Sequence, residues 1–484
     1  MRINMKIMRK DKKIKYFKGE FLHPALDIKR NLLILGFRFF SEDFKERNLF
    51  VISNQKGISF LDEEHFEDSG GDYYIEIGNR KLARIEERWD LEELNNFIEN
   101  YNLAISETPK IKEIFNKIKE LLKKYMELEK EEDYFLIPAW IIGVYFFPVF
   151  SAYPFLHIKA PKQSGKTQCL NFLKQICFNA VKAKPSLPAL CDTVDSLRGV
   201  YLIDQADLLK RKGNEELLEI LTDSYKKESG KRRIRFSEKR GGWRTIEQET
   251  YSPKAFASVR ELPEDLADRC LTIPLIKSER NFPEPLEESE NWKEIRGELY
   301  KVLLTNFSVI KNSYDIFKTE YRQNSKIIGR DLELWLPLET ILKFVIDEEE
   351  LERIRQRFKQ LYGYTTYEAN ELEKEVIRVI FECLEDGKTN QIILRPSEIS
   401  QKIEDEFWED KFLNSHQKGI RVGYIVKNFN LSSEKKDTSK GIAYLFEKEK
   451  ILKIKGLYIK NEKNTPNTPF LTEKPENTNN LDEF

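Results

Sequence analysis

The eight residues Ala160-Pro161-Lys162-Gln163-Ser164-Gly165-Lys166-Thr167 restrict the fold of this chain more than any other stretch. A glycine followed by lysine and a hydroxyl residue is the pattern of a loop that wraps phosphate groups, here with alanine at the first glycine position. Such a loop works in one setting only. A buried strand leads in, and a helix begins at the loop so that its first N–H groups point at the anion. The run "FLHIKA" before the motif is apolar and strand-like, and Leu170, Leu173, Ile176 and Ala180 after it recur at helical spacing. An α/β fold with a parallel sheet follows, with ATP as the expected ligand. Gly165 has no Cβ to block the approach. Lys166 would reach the β and γ phosphates, and the Thr167 hydroxyl would ligate Mg2+.

A carboxylate at a strand end is the second requirement. In "VYLIDQAD" four apolar residues run into Asp204, one strand and one helix beyond the loop. A parallel strand covered on both faces reads as such a run, and Asp204 at its end would hold the metal through its water shell. The plain alternative is a strand ending in a turn residue. Gln205 follows, where a glutamate would act as general base. Glutamine orients water but takes no proton, so slow or stimulated hydrolysis is expected. Asp207 stands close by in sequence as a displaced base. In "SPKAFASVRELPEDLADRC" the run "KAFASV" is expected as a strand beside the loop. Its Ser258 would sense the γ-phosphate or position water, or be an ordinary strand-end serine.

Composition sets outer limits. The 484 residues suggest roughly two to four domains, and 81 basic against 82 acidic residues leave any nucleic-acid contact to a local patch. Five scattered cysteines and four isolated histidines offer neither a disulfide framework nor a zinc site, and the chain reads as cytoplasmic. The uncharged segment 134–158 is long enough to span a bilayer, but Pro138, Pro148 and Pro154 interrupt it. A buried helix followed by a central strand is the expectation there, and no membrane contact.

The stretches "WIIGVYFFPVFSAYPFLHIKAPKQSGKT", "YLIDQAD", "SPKAFASVRELPEDLADRC" and "IGRDLELWLPLETI" together resemble the AAA+ ATPases of helicase and primase–helicase proteins carried by viruses, plasmids and other mobile elements. These are distant relatives of minichromosome maintenance and superfamily-three helicases. The resemblance covers roughly residues 134–345, with weak matching between the motifs. It implies a P-loop AAA+ core and a helicase-like motor in replication of a mobile element. It also implies a homo-oligomer, a hexamer, since Arg269 would enter the neighbouring subunit's ATP site as an arginine finger. Arg330, on the lid helix, would touch the γ-phosphate of its own subunit. The plain alternatives are Arg269 capping or pairing with the acidic run before it, and Arg330 pairing with Asp331 or Glu333.

The expected organisation is a small α+β domain of unassigned role (1–105), a helical collar (106–150), the AAA+ core (151–280), a helical lid (281–365), a winged-helix-like domain (366–460) and a disordered Pro-rich tail (461–484). The stretch "KRRIRFSEKRGGWRTIEQET" alternates like two strands around a tight turn. In the related ring helicases such a hairpin grips single-stranded DNA. Lys239 and Arg240 would follow phosphates at its tip and Trp243 would stack on a base, or the hairpin is exposed and basic with no ligand. In the winged-helix-like block Lys418, Arg421 and Lys427 would be available to phosphates, although such modules also dock proteins. The other readings are an ATP-dependent initiator or loader without unwinding activity, for which Gln205 is natural, and a module in which ATP gates protein assembly. A P-loop kinase would leave "LADRC" and "GRDLELW" unexplained.

Overall fold

Five parallel strands carry the phosphate loop in the computed structural model, and the residues chosen for them explain their depth. We number them β1 Phe155–Lys159, β2 Val181–Lys182, β3 Tyr201–Ile203, β4 Lys254–Ser258 and β5 Cys270–Pro274. Their order in the sheet is β5–β1–β4–β3–β2. The strands β3 and β4 are buried throughout, and β1 up to its last residue, as expected where both faces of a parallel sheet are covered. The strand "KAFAS" lies beside β1, with Ala255 opposite Leu156 and Ser258 opposite Lys159. Helices α1 Lys166–Ile176, α2 Leu187–Leu197, α3 Glu264–Ala267 and α4 Arg330–Leu342 connect or flank the strands.

The structure describes residues 18–68, 71–105, 109–237, 243–275, 277–324, 329–363, 371–387, 389–408, 413–429, 431–438 and 441–458. They fall into two compact units, Met1–Thr366 and Tyr367–Phe484. The segment 134–158 forms a buried helix, Asp133–Gly143, then a short 3-10 turn, then β1. No helix among the described residues is long and apolar enough to cross a membrane.

The N-terminal residues form a four-stranded antiparallel sheet, from Leu26–Lys29 to Gly57–Leu61, and a three-stranded sheet of Glu20–Leu22, His65–Asp68 and Gly71–Ile75. Part of this region closes a core of its own, with Leu22, Ile34, Phe50, Tyr73 and Ile75 in a separate apolar cluster, and part joins the rest of the unit. Phe37 and Trp89 share one apolar cluster with Tyr145 and Tyr300, and the Trp89 and Tyr300 rings stack with centroids 5.2 Å apart. The helices Trp292–Asn324, α4 and Glu348–Gly363 complete this unit.

The second unit runs helix Glu371–Asp386, strand Gln391–Leu394, short helix Pro396–Ser400, helix α5 Ser415–Asn428, strands Glu434–Thr438 and Gly441–Glu447, and helix Lys448–Tyr458. Its strands form a three-stranded antiparallel sheet. Val376, Ile380, Val422, Val426 and Phe446 fill its separate core. The Pro-rich segment 461–484 lies outside the described residues.

Candidate nucleotide site

The loop begins where β1 ends, and the sheet holds its first residue: Ala160 N donates to Ser258 O at 3.2 Å. Gln163 and Gly165 both have positive φ, 62° and 79°. Alternation of this kind turns backbone N–H groups toward one concave side. A Cβ on Gly165 would meet nothing within 4 Å, so the glycine is needed for its left-handed backbone and for a bare approach rather than for packing. Helix α1 starts immediately after it. Lys166 folds back across the loop and donates to Ala160 O at 2.8 Å and to Pro161 O. Burial lowers the Lys166 ammonium from its usual value, while Asp204 and Asp207 act against the shift. A pocket of about 280 Å³ opens here, with Gln163, Lys166, Thr167 and Asn171 on one wall and Glu284 and Pro285 on the other.

The two expected metal-binding groups meet. Thr167 Oγ1 donates to Asp204 Oδ2 at 3.0 Å, and Gln205 N donates to Asp204 Oδ1 at 2.9 Å. The strand β3 thus delivers Asp204 from two positions away, across β4. A hydroxyl and a carboxylate are hard oxygen donors and suit Mg2+, which completes its shell with water and phosphate oxygens. No cluster of three or more His, Cys, Asp or Glu that could hold a metal exists among the described residues. A metal at this position therefore depends on Thr167, Asp204 and the nucleotide. Gln205 itself is exposed and left-handed, with φ 56°, and Asp207 Oδ1 accepts from Val259 N at 3.3 Å.

Two expectations need correction. Ser258 closes β4 beside the loop, but its hydroxyl is committed elsewhere. It lies buried, donates to Arg260 O and accepts from His157 Nε2 at 2.8 Å. His157 Nδ1 in turn accepts from Thr272 Oγ1 at 3.1 Å. This relay joins β4, β1 and β5, and burial, aided by Lys159, pushes the His157 imidazole down to about 3, so it is neutral. Ser258 is a structural hydroxyl here and does not face the pocket as a phosphate sensor.

Arg330 is the second correction. Arg269 precedes β5, and its carbonyl accepts from Phe155 N at the start of β1. In register, β5 runs from Cys270 opposite Phe155 to Pro274 opposite Lys159. Arg269 is thus separated from the loop by the length of a strand, roughly 17 Å at ~3.3 Å per residue. Arg330, the first residue of α4, pairs with Asp268 at the same edge, not with Asp331 or Glu333. Glu333 binds Lys226 at 2.6 Å instead. Both guanidinium groups lie over the Tyr225 ring, at 5.4 Å and 5.9 Å from its centroid. The start of α4 docks on the end of α3, which takes Arg330 away from its own loop. Arg269 also donates to Asp265 O, capping α3, and its buried Nε has no hydrogen-bond partner.

The hairpin exists as the antiparallel strands Lys231–Ser237 and Trp243–Glu249. Lys239 and Arg240 lie outside the described residues, and the Trp243 side chain is likewise not described. Lys231 and Arg233 share Glu247. In the second unit Lys418 already has protein partners. Its ammonium pairs with Asp405 at 2.7 Å and lies over the Trp408 ring. Arg421 is half-buried and Lys427 exposed, and the exposed face of α5 also carries Ile420 and Tyr424.

Sequence reasoning missed Asn171 and three further contributors. Lys182 Nζ stands 3.6 Å from Asp204 Oδ2 and donates to Asn171 Oδ1 at 2.8 Å. Glu284 and Pro285 close the pocket from a segment remote in sequence. None belongs to a spaced motif, so only folding reveals them.

The sequence matches no protein-family model and no curated protein. Among solved structures it is similar to the apo C-terminal region of NrS-1, at 12% identity and TM-score 0.34, over 86% of this chain and 96% of that one. It is also similar to an active helicase, Cch of SCCmec type IV, at 10% identity and TM-score 0.36, over 87% and 94%. A full-length MCM homologue from Methanopyrus kandleri matches at 10% identity and TM-score 0.29, over 69% and 78%. Superpositions this loose carry no functional argument, and the reading below rests on the side chains.

Proposed function

We propose that this chain is an AAA+ ATPase acting on DNA, a helicase-like motor whose ATP site is completed by a second copy of itself. The observation that carries the reading is the meeting of Thr167 and Asp204, 3.0 Å apart, beside Lys166 on a left-handed glycine loop. Backbone N–H groups of residues 163–167 would cradle the phosphates. Lys166 would exchange its carbonyl partners for phosphate oxygens, a trade of neutral for charge-assisted hydrogen bonds. Thr167, with Asp204 through water, would hold Mg2+, which would supply positive charge against the phosphates. The Gln205 carboxamide would orient the attacking water without accepting its proton, which keeps unassisted turnover slow.

Arg269 and Arg330 support the assembly part of the reading. They form one cationic patch at the edge of the sheet away from the loop, so a copy offering this patch would supply both arginines to its neighbour's site. A head-to-tail interface of this kind closes into a ring, with six copies as the resemblance implies. The hairpin 231–249 is the candidate single-strand contact, and the second unit is read as winged-helix-like.

The test is ATP turnover by purified protein with and without single-stranded DNA, with the subunit number read in the same preparation. Stimulation many-fold by DNA is expected, and Lys166→Ala should abolish nucleotide binding. Charge reversal at Lys239 and Arg240 should weaken single-strand binding and flatten its salt dependence. A second reading, an ATP-dependent initiator or loader without unwinding, is favoured by Gln205. Under it, ATP is bound tightly and DNA leaves turnover unchanged.

A further inference from the structure

Lys182 is the last residue of the edge strand β2, and the parallel register sets it opposite Leu202, just short of Asp204. Its side chain is mostly buried, 22% exposed, and its ammonium donates to Asn171 Oδ1 at 2.8 Å. The same ammonium is 3.6 Å from Asp204 Oδ2, the oxygen that accepts from Thr167. Asn171 belongs to α1 and lines the phosphate pocket with Lys166 and Thr167. One carboxylate oxygen therefore stands between the two groups, a hydroxyl suited to a divalent cation and a fixed monovalent cation. The tether through Asn171 ties that cation to the helix that begins at the loop.

We propose that Lys182 is a positioning residue that lowers the affinity of Asp204 for Mg2+, so that the metal stays only while a triphosphate shares its coordination. The inference rests on the nucleotide reading above. Two cations on one carboxylate repel, and the ammonium is covalently held, so the divalent ion bears the penalty. With a triphosphate bound, the γ oxygens add enough negative charge to outweigh Lys182. With a diphosphate the balance returns to the ammonium, which favours release of metal and product together.

The experiment titrates MgCl2 against full-length protein holding a fluorescent ADP analogue. Lys182→Met, which keeps the stem and removes the charge, should lower the Mg2+ midpoint roughly three- to tenfold. Lys182→Arg should keep it near the wild-type value. Binding of the analogue in EDTA should not change in either variant. Asn171→Ala, which frees the ammonium from its tether, should move the midpoint the same way by less, and serves if Lys182→Met does not fold. An unchanged or raised midpoint overturns the proposal. Weaker analogue binding in EDTA also overturns it, since Lys182 would then be a phosphate ligand. If wild-type protein binds no analogue at all, with or without metal, the nucleotide reading fails as well. If wild type binds and only the shift is missing, the role of Lys182 alone is lost.

Discussion

The two ends of the central sheet differ in the groups they display. At the carboxyl ends of the strands stand the loop, Lys166, Thr167 and Asp204, with oxygen and ammonium groups arranged for phosphate and metal. At the amino end of β5 stand Arg269 and Arg330 on Asp268 and Tyr225, with guanidinium charge and no phosphate cradle. A strand's length separates them. Within one copy, the loop residues and the arginine patch thus lie in different places. Under the proposed function, the two arginines would therefore act on a neighbouring copy's loop.

The largest effect should come from Arg269→Ala. Turnover should fall by ~10³ or more while affinity for ADP stays unchanged, because the group meets only the developing charge on the transferred phosphate. Mixing equal amounts of Arg269→Ala and Lys166→Ala protein should restore about a quarter of wild-type turnover, the share of interfaces that pair an intact loop with an intact arginine. No recovery on mixing would remove Arg269 from a neighbour's site and end the two-edge account. Arg330→Ala should behave like Arg269→Ala in the same mixing assay, since both sit on one patch. Recovery for one and not the other would separate them.

A smaller gain is expected at the binding edge. Gln205→Glu should speed hydrolysis by up to ~10² by supplying a proton acceptor. No gain in a protein that already turns over quickly would mean that another group, Asp207 first, removes the proton. The smallest effect concerns stability. His157 titrates near 6.5 when unfolded and is held down to about 3 when folded. Its contribution is therefore full above pH 6.5 and is lost as the pH falls toward 3. At pH 5 the loss is about 2 kcal/mol, and His157→Asn should flatten the slope of denaturant midpoint against pH between 7 and 5.

Much of the binding edge was legible because its parts are local. A phosphate loop is a contiguous backbone conformation, and the residues that allow it must be adjacent in sequence. The place of Asp204 was legible as well, since a short apolar run ending in an acid marks a buried strand's end, and it became a metal candidate only beside the loop upstream. The hydroxyl of Ser258 was misread, because which face a strand-end side chain takes depends on its neighbours, here His157 and Arg260. The pairing of Lys418 with Asp405 was likewise invisible in the sequence, since the two are 13 positions apart. The expected small α+β domain at the N-terminus keeps one apolar cluster to itself, while Trp89 stacks on Tyr300 in a second cluster that spans the first unit, a pairing no local pattern announces.

Sequence alone determined the α/β core, the loop and its lysine, and the pairing of a hydroxyl with a strand-end carboxylate. Backbone geometry and strand burial act over a few residues, and their chemistry is written in residue types. Tertiary structure decided where Arg330 points, what occupies Ser258, and that Lys182 stands against Asp204. Those outcomes depend on which distant helix end or edge strand is brought within a few ångströms, and charge pairing at that range leaves no periodic trace in the chain.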